Sequence, residues 1–324
     1  MKCLVVQPIH ADGVALLERA GIACIVPKSA DMGDVAQAIG DCEAVITRNA
    51  GLDTQAIEAG HRLRVIGSHG AGTNMIDIAS ATARGIAVVN TPGANARSVA
   101  ELVISMALAL VKRTVALDHA VRQGNWDARY DAGLRELSGM TLGVVGFGQI
   151  GRAVAQISRD GFGMTVYVYS PSVSAEDVRA AGCVPVSSMA ELVRQADIVS
   201  LHRPGNPGPG PLVDASVLAA MKRGAILINT ARANLVDEQA LAAALRSGHL
   251  SGAGVDVFSK EPPPPEHPLL GLAQVVLAPH AGGSTEEALQ RTATAVAGQV
   301  LKVLEGARPD HLVNPAVWSE AAAR

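Results

Sequence analysis

Residues 142–156 read LGVVGFGQIGRAVAQ: an apolar run, a cluster of glycines, then an amphipathic stretch without a breaker. Gly146, Gly148 and Gly151 stand in the spacing G-x-G-x-x-G. Each glycine answers a separate geometric demand. The first permits a tight turn, the second lets backbone approach a pyrophosphate, and the third lets the following helix sit close to the strand. The opening turn of that helix then presents unpaired N–H groups to phosphate oxygens. Three glycines alone are a weak signal, but a strand before and a helix after are the context that the motif requires. A dinucleotide site is expected here, with Gln149 and Ile150 sharing the contact.

The chain around this unit alternates in the same way. Five short β-rich runs, CLVVQ, IACIV, EAVIT, LRVIG and IAVVN, occupy the first ninety residues, with Ala-rich amphipathic segments between them. A long helical stretch is expected over about 96–123. A second series begins at Thr141 and contains TLGVVG, MTVYVY, DIVSLH, AILINT, GAGVD and QVVLA, and a helix over about 284–305 closes it. Such alternation implies parallel sheets with crossover helices. Pro262 to Pro265 and the GNPGPGP segment at 205–211 are non-helical connections, since proline fixes φ and lacks an N–H. The 324 residues suit two domains rather than one core. Aromatic residues make up only 2%, and abundant small aliphatics suit close packing of helices on a sheet.

Several classes are disfavoured. Net charge is −3 and no basic run is present, so neither nucleic acid nor an anionic membrane is an expected partner. The longest apolar stretch, 102–111, is about half a membrane span, and the N-terminus carries no secretory signal pattern. Cys3, Cys24, Cys42 and Cys183 stand apart, without C-x-x-C or metal-site spacing. Reduced thiols, no metal and a cytoplasmic location are expected.

Four segments carry candidate chemistry. The second strand of the glycine unit should end on an acid that holds the adenosine ribose. Ser170 stands there, nineteen residues past Gly151, so no carboxylate repels a 2′-phosphate and no adjacent arginine attracts one. NAD and NADP both remain open. In INTARANLVDE, Arg232 follows an apolar strand, where a guanidinium can grip a carboxylate through two parallel bonds. By position alone it is equally a surface arginine. Glu261 precedes the proline loop, and His280, in LAPHAGGST, follows another apolar strand. A histidine can move a proton to or from a hydroxyl near neutral pH, and a partner carboxylate would orient the ring and favour the imidazolium. Isolated, His280 reads as a structural histidine; with a dinucleotide fold, Arg232 and Glu261, it reads as an acid–base group.

With these segments in order, the sequence resembles the D-isomer-specific 2-hydroxyacid dehydrogenase family over nearly its whole length, in the manner of phosphoglycerate dehydrogenases and glyoxylate/hydroxypyruvate reductases. The resemblance rests on RVIGSHGAGTNMID (64–77), VVNTPGANARSVAEL (88–102), the glycine fingerprint, INTARANLVDE, DVFSKEP and APHAGGST. It implies an α/β protein of two Rossmann-like or flavodoxin-like parallel-sheet domains, the cofactor domain inserted into the substrate domain. The implied boundaries are 1–96 plus 284–324 for the substrate-binding domain and 97–283 for the NAD(P)-binding domain. Arg232, Glu261 and His280 would fill the catalytic positions, with Thr230 and Asp256 near the nicotinamide. The loop of His69, Gly70, Ala71 and Gly72 matches the substrate-carboxylate loop, whose backbone N–H groups converge on an anion. Asn95 matches a position near the active cleft, and Arg48 an arginine near the substrate's far end. His69 and Arg48 are equally readable as solvated loop residues. A homodimer is implied, joined through the helix from about Ala96 and the segment around Trp126.

Three departures accompany the resemblance. Ala233 stands where A-R-G is common, a mild change unless positive φ is needed there. Ser170 replaces the ribose acid. The sequence stops soon after its last helix, so the appended regulatory domain of some phosphoglycerate dehydrogenases is expected to be absent. The implied reaction places a 2-keto acid between the domains, its carboxylate on residues 69–72 and Arg232, and passes hydride from NAD(P)H to C2 while His280, kept protonated by Glu261, supplies the proton. Formate dehydrogenases share the fold but replace the Glu by Gln, and Glu261 argues against them. A dinucleotide-sensing binding protein with little turnover is the alternative from another class.

Overall fold

The computed structural model describes residues 1–205, 208 and 210–318, so three positions of the 205–211 connection lie outside the described residues. The chain divides into two compact units, Met1–Asn95 with Gly283–Arg324, and Ala96–Gly282.

The first unit is a five-stranded sheet of β1 (Lys2–Val5), β2 (Ala23–Ile25), β3 (Ala44–Thr47), β4 (Val65–Ser68) and β5 (Ala87–Val89), in the order β2-β1-β3-β4-β5. Every pairing is parallel, as the alternation of strands and helices demands, because parallel neighbours need a crossover. β3 and β4 are buried along their whole length, and their sequences AVIT and VIGS run without polar alternation. The closing helix, Glu286–Leu304, lies on this sheet beside helix Ala11–Arg19. It comes so near β4 that a Cβ on Gly67 would stand 2.7 Å from Val296.

The second unit adds β6 (Thr141–Val145), β7 (Thr165–Tyr169), β8 (Val184–Pro185), β9 (Ile198–Leu201), β10 (Ile226–Asn229), β11 (Gly252–Val255) and β12 (Val275–Leu277), in the order β12-β11-β10-β9-β6-β7-β8. All six pairings are parallel. β8 was not expected from the sequence: it has two residues, one a proline at the sheet edge, where a missing N–H breaks no ladder. Strand order reverses between β6 and β9, and ligands of open α/β sheets bind at such a switch point.

The helix expected over 96–123 is two helices, Ala96–Val111 and Thr114–Arg122, broken where Arg113 takes φ 51°. The break falls where burial ends. The first helix buries ten of its sixteen residues against the sheet, and the second buries none. Tertiary packing, not a Gly or Pro, sets this boundary. Among the described residues no helix is long and apolar enough to cross a membrane.

Candidate active site

The glycine turn follows β6 at the switch point and opens helix Gln149–Phe162. Gly146 has φ 94°, and a Cβ there would stand 2.6 Å from the His202 carbonyl oxygen. A Cβ on Gly151 would come within 2.2 Å of the Gly146 oxygen, so helix and strand touch through a bare backbone. Gly148 is different. A Cβ on it would meet no atom within 4 Å, so packing does not require a glycine there. Open space beside a helix N-terminus is where a pyrophosphate can approach. Ser170, at the end of β7, accepts a hydrogen bond from the Phe147 N–H (3.3 Å), and the Arg152 guanidinium lies 4.5 Å over the Phe147 ring. A cation thus stands on the residue that Ser170 braces, a proximity that linear spacing does not reveal.

Arg232, Asp256 and His280 lie just beyond the carboxyl ends of three successive neighbours, β10, β11 and β12. Parallel strands end on one side of a sheet, so positions 24 residues apart in sequence become neighbours. Asn229 shapes the turn that carries Arg232: its side-chain N–H donates to the Arg232 carbonyl (2.9 Å), and its oxygen accepts from the Ala231 N–H (3.1 Å). The sequence places Asn229 in the motif but does not single it out for this task. The Arg232 side chain is half-buried and donates to the Ala231 carbonyl (2.7 Å). Burial pulls the guanidinium below its ordinary range, and the nearby Glu261 charge opposes that pull. Ala233 is not among the positive-φ residues and opens a short 3-10 turn, so the departure from glycine carries no backbone strain. The Thr230 hydroxyl is buried without a partner among the described residues. A buried polar group is normally satisfied, so it suits a ligand at this strand end.

Glu261 and His280 meet at 2.8 Å through Oε2 and Nδ1. The other Glu261 oxygen accepts from the Phe258 N–H (3.1 Å), and Glu238 binds the next residue through the Ser259 N–H and hydroxyl (3.1 and 2.7 Å). These bonds fix the loop that presents the carboxylate. The two side chains are 35% and 34% exposed, leaving the ring reachable. Nδ1 faces the carboxylate, so Nε2 is the atom left for a reacting oxygen. His280 has φ 53°, which costs a non-glycine residue on the order of 1 kcal/mol. Asp256 is 1% exposed; its oxygens accept from the Ala281 and Gly282 N–H groups at 2.7 and 3.0 Å. Burial pushes this carboxyl up, while those two amides and the His280 charge hold it down.

In the first unit, Arg48 follows β3 and the 69–72 loop follows β4, side by side in register. The Arg48 Nη1 donates to the Pro8 carbonyl (2.9 Å). Burial, with the Arg48 charge next, pushes His69 down to about 4, so the ring is neutral at pH 7. The loop amides are not equivalent. The His69 N–H donates to the Thr47 carbonyl (2.8 Å), and the Gly70 N–H to the Ser68 carbonyl and the Thr91 hydroxyl (2.9 and 3.0 Å). The Ala71 and Gly72 amides make no hydrogen bond among the described residues, so an anion is left those two donors rather than four. Asn95 lies against Gly283, where a Cβ would stand 2.7 Å from its Nδ2. Among the described residues no group of three His, Cys, Asp or Glu side chains is placed to hold a metal ion.

A doubly wound domain with a glycine turn at its switch point, and an acid–base pair beside an arginine at neighbouring strand ends, defines a dinucleotide-binding α/β class. Comparison with known proteins narrows it. Residues 104–282 match the D-isomer specific 2-hydroxyacid dehydrogenase, NAD binding domain. The chain is 38% identical over 315 residues to a D-3-phosphoglycerate dehydrogenase of Methanocaldococcus jannaschii, covering 97% of this chain and 59% of that protein. It thus spans about three fifths of that relative's length. It is 37% identical to a glyoxylate reductase of Korarchaeum cryptofilum, covering 87% of this chain and 86% of that protein. The crystal structure of TT0316 protein from Thermus thermophilus superposes with a TM-score of 0.87 at 35% identity, covering 97% of this chain and all of that one. The chain belongs to the D-isomer specific 2-hydroxyacid dehydrogenase family.

Proposed function

We propose that this chain is an oxidoreductase that transfers hydride between NAD(P)H and C2 of a small 2-keto acid, giving a D-2-hydroxy acid, or runs the reverse. The observation that carries the reading is the 2.8 Å pairing of His280 with Glu261, with Arg232 close enough to feel the same carboxylate. A proton donor, its charge partner and a carboxylate-binding cation are what reduction of a keto acid needs beside hydride.

The open face at Gly148, the helix N-terminus and the unpartnered Thr230 hydroxyl fit a nicotinamide dinucleotide. Gly146, Gly148, Gln149, Ile150 and Gly151 would hold its pyrophosphate, Ser170 its adenosine ribose and Thr230 its nicotinamide end. When bound, the cofactor supplies or accepts hydride. Arg232 would hold the substrate carboxylate and polarise the carbonyl through its planar fork. Glu261 orients His280, so that Nε2 delivers a proton to the developing alkoxide. In the first unit, the Ala71 and Gly72 amides are assigned to the substrate carboxylate, with Arg48, His69 and Asn95 lining the approach.

The helix Thr114–Arg122 and the residues after it carry Val115, Val121, Trp126, Tyr130 and Leu134, exposed by 46–71%. Large apolar side chains exposed along one segment suit an interaction surface, and we assign this segment to contact with a second copy of the chain. The cytoplasm, where reduced cofactor is supplied, is the assigned location.

The test is a spectrophotometric panel of glyoxylate, hydroxypyruvate, phosphohydroxypyruvate and larger 2-keto acids with NADH and NADPH. Turnover with at least one keto acid is expected. Tight cofactor binding with no turnover across the panel would assign the chain to dinucleotide sensing instead.

A further inference from the structure

His280 pairs with Glu261 from a backbone conformation that non-glycine residues avoid, φ 53°, and contacts around it must hold it there. The residues after it are gripped from two directions. Asp256 accepts from the Ala281 and Gly282 amides at 2.7 and 3.0 Å, and its own carbonyl accepts from the His280 N–H at 2.9 Å. From helix Ala96–Val111, the Ser98 hydroxyl donates to the Gly282 carbonyl at 2.5 Å. Successive peptide groups are thus fixed through both N–H and C=O. Ser98 is 5% exposed and Asp256 1%, so water cannot easily replace either bond. The fit is close: a Cβ on Gly282 would stand 3.0 Å from Asp256 Oδ2 and 3.3 Å from Val99.

We infer that Ser98 and Asp256 form a clamp on the 281–282 turn that holds His280 in its left-handed conformation, and that both are positioning residues for the proton-transfer step. The inference rests on the reading of His280 as the proton carrier. It deepens that reading by explaining how the ring is aimed. Ser98 lies outside every expected substrate or cofactor contact, and its hydroxyl bonds the turn at the Gly282 carbonyl. It therefore separates the clamp from any contact that Asp256 also makes with bound cofactor. Small displacements of a reacting group are costly: misplacement by about 1 Å can cost on the order of a hundredfold in rate.

The experiment compares Ser98→Ala and Asp256→Asn with the wild-type chain. Three measurements are made: steady-state kinetics giving kcat and KM with glyoxylate and hydroxypyruvate, Kd for NADH by fluorescence titration, and hydrogen–deuterium exchange of peptides covering residues 278–284. Ser98→Ala should lower kcat about tenfold, keep the NADH Kd within about twofold, and speed exchange at residues 281–282. Asp256→Asn should speed that exchange further and lower kcat more. The double variant should lose less kcat than the product of the single losses, because both groups grip one turn. The clamp is overturned if Ser98→Ala keeps wild-type kcat, or if kcat falls while exchange at 281–282 is unchanged. A wild-type chain that reduces no keto acid sinks the functional reading instead. The exchange measurement then judges the clamp alone, and unaltered protection in both variants overturns it.

Discussion

At the scale of single residues, the site turns on which atom faces which. His280 presents Nδ1 to Glu261, so the carboxylate can stabilise the imidazolium without obstructing Nε2. Glu261→Gln keeps the shape and removes the charge. The ring then loses the charge partner that supports proton delivery, so Glu261→Gln should lower kcat for keto-acid reduction by about tenfold or more while the NADH Kd stays near that of the wild type. Wild-type kcat in Glu261→Gln would remove this role for Glu261. Ser170 supports a second residue-scale prediction. Its hydroxyl carries no charge, while Arg152 sits over the neighbouring Phe147 ring. The wild type should therefore use NADH and NADPH with kcat/KM values that differ by less than about a thousandfold, roughly 4 kcal/mol. Ser170→Asp should shift the ratio toward NADH by repelling the 2′-phosphate. Kinetics with both cofactors and one good keto acid decide it.

At the scale of elements, the glycine turn separates a packing demand from a ligand demand. Gly151→Ala places a methyl 2.2 Å from the Gly146 oxygen. Helix Gln149–Phe162 must then move off β6, and both stability and cofactor binding should fall. Gly148→Ala meets no protein atom within 4 Å. The chain should keep its melting temperature within about 2 °C, as expected of a change that removes no packing, yet bind NADH much more weakly. Thermal unfolding and fluorescence titration of the two variants provide the comparison. Equal NADH affinity in Gly148→Ala would place the pyrophosphate elsewhere. The same elements explain why three strand ends supply one site: β10, β11 and β12 are successive neighbours, all parallel.

For the whole molecule, buried histidines make stability depend on acid. His202 is partly buried with its Nε2 enclosed, and burial pushes it from the ordinary 6.5 down to about 3. His69 is pushed down to about 4, mainly by burial. In that window the unfolded chain binds protons that the folded chain refuses, so stability rises with pH. It is fully present above about 6.5 and is lost as pH falls toward these depressed values. The raised Asp256 carboxyl acts in the opposite sense, but it is one group against two. The urea midpoint at constant ionic strength should be lower at pH 5 than at pH 7. His202→Gln, which cannot take up a proton, should narrow that gap. A gap unchanged by His202→Gln would show that its burial is not what makes the fold acid-labile.

Much of this was legible along the chain because it depends on near neighbours. Alternating β-rich and helical segments specify parallel sheets, and the glycine spacing specifies strand, turn and helix within ten residues. Arg232, Glu261 and His280 could be named as candidates because each sits in a short segment with its own chemical logic. The sequence could not show that Glu261 and His280 lie 2.8 Å apart, because that distance depends on how β11 and β12 pair and on a loop pinned by Glu238. Nor could it show that two of the four 69–72 amides are already occupied, that the long helix breaks at Arg113, or that Ser98 holds a turn 184 residues away. Those features are decided by contacts between distant segments. Local pattern determines which elements form, and only their packing determines which polar groups are left for a ligand.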